Sequence, residues 1–148
     1  MTSVNYSIKD LLPHRNSMLL IEDILEGDPK TAVSSAVVNT DWPLCDGHGV
    51  SPLVWIEVAA QTAGICAGLA RIKERGPNAD KKSWLVGIKS ARFFVESLAL
   101  QDKITTHAEN RYEYEGYRQI ISTSRVGSKV VGEVELQAIQ ADSEHLPE

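Results

Sequence analysis

The longest apolar stretch, SPLVWIEVAAQTAGICAGLA from Ser51 to Ala70, constrains this chain more than any other feature. Read with a helical period it is hydrophobic on every side, so it predicts a helix inside a core rather than on a surface. One acid interrupts it. A carboxylate left dry and unpaired at the position of Glu57 is costly. Gln61 lies four residues on and projects from the same face. An acid and an amide on one stripe of a buried helix mark a candidate site. The competing reading is structural, with Glu57 capping a backbone amide or pairing with a core arginine. The length also suits a membrane span, but both polar residues are central and much of the rest is Ala or Gly, so no span is expected.

The remaining composition fits one soluble domain. A length of 148 residues suits a single core, expected over about residues 8–140 with a polar tail at 141–148. Hydrophobic residues make up 43%, enough to fold unaided. The net charge of -5 disfavours a nucleic-acid binder, which needs a basic face. Cys45 and Cys66 offer neither a disulfide framework nor metal-ligand spacing. No Gly-rich phosphate loop or nucleophile elbow is present, so no metal, nucleotide or other cofactor is expected. The opening MTSVNYSIKDLLPHR lacks the apolar run of a signal peptide and predicts a cytoplasmic location.

Punctuation along the chain gives the elements. Ser7 predicts the cap of one short helical turn that Pro13 ends. Strands are predicted from Ser17 to Gly27 and from Thr31 to Asn39, with a loop from Asp41 to Val50. Ser51 reads as the N-cap of the long helix and Pro52 as its first residue, with the end near Gly76–Pro77. A strand from Ser83 to Phe94 follows. KITTHAENRYEYEG then alternates, with Ile104, Thr106, Ala108, Tyr112 and Tyr114 on one face. RQIISTSRV and KVVGEVELQAIQ form a hairpin about Gly127–Ser128, with Val130, Val134, Leu136 and Ala138 facing inward. Strands in hairpins about one helix make an α+β fold with an antiparallel sheet. One short sheet covers only part of a helix that is apolar all round, so a second subunit is expected to cover the rest.

Four segments in this order resemble the FabZ/FabA-type 3-hydroxyacyl-ACP dehydratases of the hot-dog fold. IKDLLPHRNSMLLIEDILE is similar to the family's opening helix and first strand, and IEVAAQTAG to its central-helix acid followed by Ala-Gln. VGIKSARFF is similar to the strand after the helix, and VGSKVVGEVEL to the closing hairpin. The resemblance runs from Ile8 to about Ile139 and implies a hot-dog domain, an antiparallel sheet wrapped around one long central helix. It implies removal of water from a (3R)-3-hydroxyacyl thioester, on acyl carrier protein or CoA, to give a trans-2-enoyl thioester. A histidine takes the C2 proton, a helix carboxylic acid serves the leaving hydroxyl, and a backbone amide at the helix N-terminus polarises the thioester carbonyl. By position Glu57 is the acid and Gln61 the amide one turn later. Pro52, Leu53 and Trp55 at the helix start, with Gln61, are the implied substrate contacts.

The sequence departs from the family at the base. Counting back fourteen residues from Glu57 reaches Pro43, where the family has a His-Phe-Pro motif. The nearest histidine is His48, nine residues before the acid, in CDGHGVSP. Either His48 serves as base from a rebuilt loop, with Asp46 orienting it, or the base is gone. The combination of LPHR, MLL and this rebuilt loop is similar to a divergent branch that occurs with aryl-polyene lipid pathways. Some members of that branch are thought to act as partner subunits of a catalytic paralogue. Three functions therefore stand: a dehydratase, a non-catalytic partner in a heterodimer, and a hot-dog acyl thioesterase. The expected assembly is a homodimer, a heterodimer with a paralogue or a higher oligomer. Of the rest, His14 reads as structural, His107 as solvated, and Arg92 as a partner for Glu57 or for a phosphopantetheine phosphate.

Overall fold

The structure, a computed structural model, describes residues 4–15, 18–79 and 84–139. The predicted tail at 141–148 and the strand starts at Ser17 and Ser83 lie outside the described residues. The first element is α1 (Ile8–Leu11). The Ser7 hydroxyl accepts from the Asp10 amide while the Asp10 carboxylate accepts from the Ser7 amide, a reciprocal cap. Pro13 forces the preceding residue out of helical geometry, and Leu12 leaves extended at φ -119° and ψ 142°.

The long apolar stretch forms α2 (Leu53–Arg75). Pro52 has helical dihedrals, and the Ser51 hydroxyl accepts from the Leu53 amide at 3.3 Å. The cap chemistry is the predicted one and the boundary differs by a single residue. Gly76, at φ 92°, ends the helix in a conformation that side chains rarely adopt. Composition alone would let α2 cross a membrane, yet 67% of its most apolar window is buried within the fold.

Among the described residues eight strands accompany it: β1 (Asp23–Gly27), β2 (Thr31–Val37), β3 (Gly49–Val50), β4 (Trp84–Phe93), β5 (Leu98–Ala99), β6 (Lys103–Tyr114), β7 (Tyr117–Val126) and β8 (Lys129–Ile139). Six form one sheet in the order β1-β2-β6-β7-β8-β4, antiparallel at every junction. Ile104, Thr106 and Ala108 of β6, Ile120, Ser122 and Ser124 of β7, and Val134 and Leu136 of β8 are buried with α2. This is the α+β hot-dog arrangement, one long helix held against an antiparallel sheet. Trp55 is the largest fully buried side chain; its indole N–H donates to Ser124 and its ring lies on Gly132.

Three local expectations are corrected. The first strand starts at Asp23, because the amides of Leu20 and Ile21 donate to the Gln61 side chain and not to a neighbouring strand. The loop from Asp41 to Val50 contains β3, which pairs with β5 as a second, two-stranded sheet. Two residues are too few to show alternation. Tyr112 and Tyr114 do not face the core with Ile104 but are exposed: a register shift between Asn110 and Tyr112 breaks the phase, and Asn110 is the last buried residue of that face.

Candidate active site

The segment LPHR brings a histidine to the central helix. Leu11 and Leu12 are buried against α2, where Gly64 and Gly68 let the chain come close. A Cβ on Gly64 would lie 2.7 Å from Leu12 Cδ2, and one on Gly68 would lie 3.2 Å from the Leu11 carbonyl oxygen. Arg15 then ties the bend together. Its guanidinium donates to the carbonyls of Leu12 at 2.6 Å, His14 at 2.8 Å and Lys9 at 3.0 Å. His14 is thereby fixed over the second turn of α2, with Nε2 3.1 Å from Glu57 Oε1.

Gln61 is buried one turn along the same stripe, as its spacing predicts. Its amide nitrogen donates to Glu57 Oε1 at 3.0 Å and to the Met18 carbonyl at 2.8 Å. Its carbonyl oxygen accepts from the amides of Leu20 at 3.0 Å and Ile21 at 3.4 Å. One side chain thus satisfies a non-helical segment that would otherwise bury unpaired backbone. Glu57 itself is not fully buried: its side chain is 41% exposed.

Glu57 stands at an open cavity of about 160 Å³. Leu12, Pro13 and His14 form one wall, and Ala60, Ala63, Gly64 and Ala67 form the helix floor. These small residues recur along the helix at helical spacing from Glu57, and their missing bulk makes the space. Leu85 of β4, Gly116, Arg118 and Ile120 of β7 and its turn, and Leu136 and Ala138 of β8 complete it. Arg118 is buried and pairs with Glu113 at 3.1 Å. A mostly apolar cleft with one carboxylate at its opening suits an acyl chain whose reactive end lies at the acid.

The other predicted positions fall elsewhere. His48 is exposed in the loop before β3 and does not line this cavity. Asp46 holds the His48 backbone and not its ring: its carboxylate accepts from the amides of His48 at 2.9 Å and Gly49 at 3.0 Å. Those two bonds hold the Asp46 carboxyl below its usual range. Trp55 is core, and Leu53 is exposed at the start of α2. The amides of Leu53, Val54 and Trp55 already donate to Ser51 or Pro52 oxygens. Arg92 pairs with Glu133 at 3.1 Å rather than with Glu57. His14, read as structural in the sequence, is the histidine placed on the acid. His14 and Arg118 lie far along the chain from Glu57, and a contact of that range has no local signal. Beyond Glu57 itself, the small-residue spacing on α2 is the trace of the cavity in the sequence.

The profile of the ApeP-like family, described as ApeP dehydratase, matches residues 6–146. The chain belongs to the ApeP-like dehydratase family. It is 34% identical over 143 residues to the 3-hydroxyacyl-[acyl-carrier-protein] dehydratase FabZ of Anaeromyxobacter sp. (strain K), covering 93% of this chain and 90% of that protein. FabZ of Chlamydia trachomatis serovar L2 is 33% identical over 147 residues, covering 94% and 93%. Among solved structures, the dehydratase heterocomplex ApeI:P from Xenorhabdus doucetiae superposes with a TM-score of 0.83 at 20% identity, covering 95% of each chain. The fold and the family are therefore those that the sequence resemblance implies, and the function is that of a dehydratase, a lyase.

Proposed function

We propose that this ApeP-like dehydratase acts on 3-hydroxyacyl thioesters carried by acyl carrier protein or CoA, with Glu57 as the acid. The carrying observation is a carboxylate at an apolar cleft that accepts from the Gln61 amide, with His14 Nε2 3.1 Å from the same oxygen. The acyl chain lies along Ala60, Gly64 and Ala67 with C3 nearest Glu57. A base takes the C2 proton, the C2–H electrons form the C2–C3 double bond, and the C3–O bond breaks. Glu57 gives its proton to the departing hydroxyl, which leaves as water. His48 of a facing copy is the proposed base, because its side chain is exposed at the surface of its own subunit. Two copies joined along β4 would also cover Leu85 and close the cavity. Identity with enzymes named for acyl-carrier-protein substrates supports the substrate class.

A second reading has its own support. His48 lies outside the cavity of its own chain, and a similar fold occurs in a heterocomplex. In that reading the facing subunit is a paralogue that supplies the histidine. The experiment is turnover of a 3-hydroxyacyl thioester followed by enoyl absorbance, with release of free thiol measured alongside. Purified protein should form enoyl product and no thiol, and Glu57→Gln should abolish it while remaining folded, since Gln keeps the shape but donates no carboxyl proton. His48→Ala should lower kcat by ~10²–10⁴. Equal rates in wild type and His48→Ala, with turnover appearing only when the paralogue is added, would assign the base to the paralogue. Thiol release without enoyl product would make the protein a thioesterase.

A further inference from the structure

We infer that His14 is a positioning residue that, with Gln61, confines the proton of the Glu57 acid to Oε2, the oxygen not held by either. The inference rests on the acid role proposed for Glu57. Oε1 receives both contacts, from His14 Nε2 at 3.1 Å and from the Gln61 amide nitrogen at 3.0 Å. The Gln61 amide cannot be turned over, because its oxygen is already committed to the Leu20 and Ile21 amides and its nitrogen to the Met18 carbonyl. Its N–H end therefore faces Glu57.

The tautomer of His14 is set by its other nitrogen. Nδ1 is buried and has no hydrogen-bond partner among the described residues. A hydrogen there would be a buried donor without an acceptor among the described residues, and it would leave the bare Nε2 lone pair facing the Glu57 oxygen. The neutral ring thus carries its proton on Nε2, the nitrogen that faces Oε1 at 3.1 Å. His14 then has no lone pair turned to the cavity, so it orients the acid and is not the base. With the Gln61 amide donating to Oε1 and His14 Nε2 set 3.1 Å from it, the acidic hydrogen of Glu57 belongs on Oε2. The ring is kept in place by the Arg15 guanidinium across the Lys9, Leu12 and His14 carbonyls. That lacing gives LPHR a role in the site as well as in the fold.

Two measurements test this. The first compares His14→Leu, which fills the space without a donor, with His14→Gln, whose amide nitrogen stands near the former Nε2. For 3-hydroxyacyl thioester dehydration, His14→Leu should lower kcat by ~10–100-fold with KM nearly unchanged, and His14→Gln should recover most of the rate. Wild-type kcat in His14→Leu would overturn the inference. So would a His14→Gln variant as slow as His14→Leu, which would make His14 a proton carrier, or a loss explained wholly by a lower folded fraction. The second is ¹⁵N NMR of the imidazole in wild type and Glu57→Leu, with the ring neutral. The proton should reside on Nε2, and its resonance should move when Glu57 is removed. A proton on Nδ1, or no response to Glu57→Leu, would overturn the inference whether or not the protein turns over. A wild type that shows the Nε2 tautomer but no dehydration, alone or with the paralogue, would sink the substrate reading and leave the His14–Glu57 contact standing.

Discussion

Gln61 carries more of this structure than its size suggests. It binds three backbone groups of the segment before β1 and the acid of the candidate site. Gln61→Leu would keep the volume and strand buried amides without acceptors. It should lower stability by about 2–4 kcal/mol, read from urea unfolding, since each unsatisfied buried group costs about 1–3 kcal/mol. The two cysteines make a second test. Burial pushes the Cys66 thiol up to about 12, so it is neither ionised nor accessible in the folded protein. Cys45 is only partly buried. A thiol reagent should modify Cys45 in native protein and reach Cys66 only in denaturant; equal reactivity would mean the helix opens readily. At this scale Glu57 and Gln61 were legible because four residues along a helix set one face. His14 was not, because its meeting with Glu57 depends on how α1 docks against the glycines of α2.

At the level of elements, boundaries marked by residue chemistry were legible and those set by pairing were not. The Ser7 cap, the Ser51–Pro52 start, the Gly76 stop and the Gly127 turn all follow from local rules. The shift at Asn110 and the pairing of β3 with β5 arise from contacts between distant segments, so alternation misplaced Tyr112 and Tyr114. The turn from β1 to β2 gives a pH test. Burial pushes the Asp28 carboxyl up, but the Thr31 and Lys30 amides, at 2.8 and 2.7 Å, outweigh it, and the net shift is downward. A folded value below the unfolded one contributes stability above about pH 4 that is lost as pH falls through the folded value. Asp28→Asn should therefore be less stable than wild type near neutral pH, with the gap closing in acid. A gap that persists at low pH would assign the effect to turn geometry alone. Gly132 is the packing counterpart. A Cβ there would lie 3.0 Å from the buried Trp55 ring, so Gly132→Ala should cost about 1–3 kcal/mol in thermal or chemical unfolding.

For the molecule as a whole, the surface that one chain leaves uncovered is the main argument for a second. β4 ends the six-stranded sheet, pairing with β8 on one side. Leu85, Val86 and Ile88 along it are 45%, 52% and 46% exposed, and Leu85 also lines the cavity beside Glu57. On α2 the residues left part-covered include Ile56, Glu57, Ala60 and Gly64, on the same side. An edge with free backbone groups and apolar side chains is a liability unless another strand pairs with it. Pairing β4 with β4 of a second copy about a two-fold axis would extend the sheet, set the central helices side by side and roof the cleft in one step. Sedimentation at micromolar concentration should show a dimer. Val86→Lys with Ile88→Lys should convert it to a folded monomer that has lost dehydration, because the charged edge resists pairing and the cleft stays open to water. A wild type that sediments as a monomer, or a charged double variant that remains dimeric and active, would place the interface elsewhere. Formation of the dimer only with the paralogue would carry the same geometry to a mixed pair, with the base supplied across the interface.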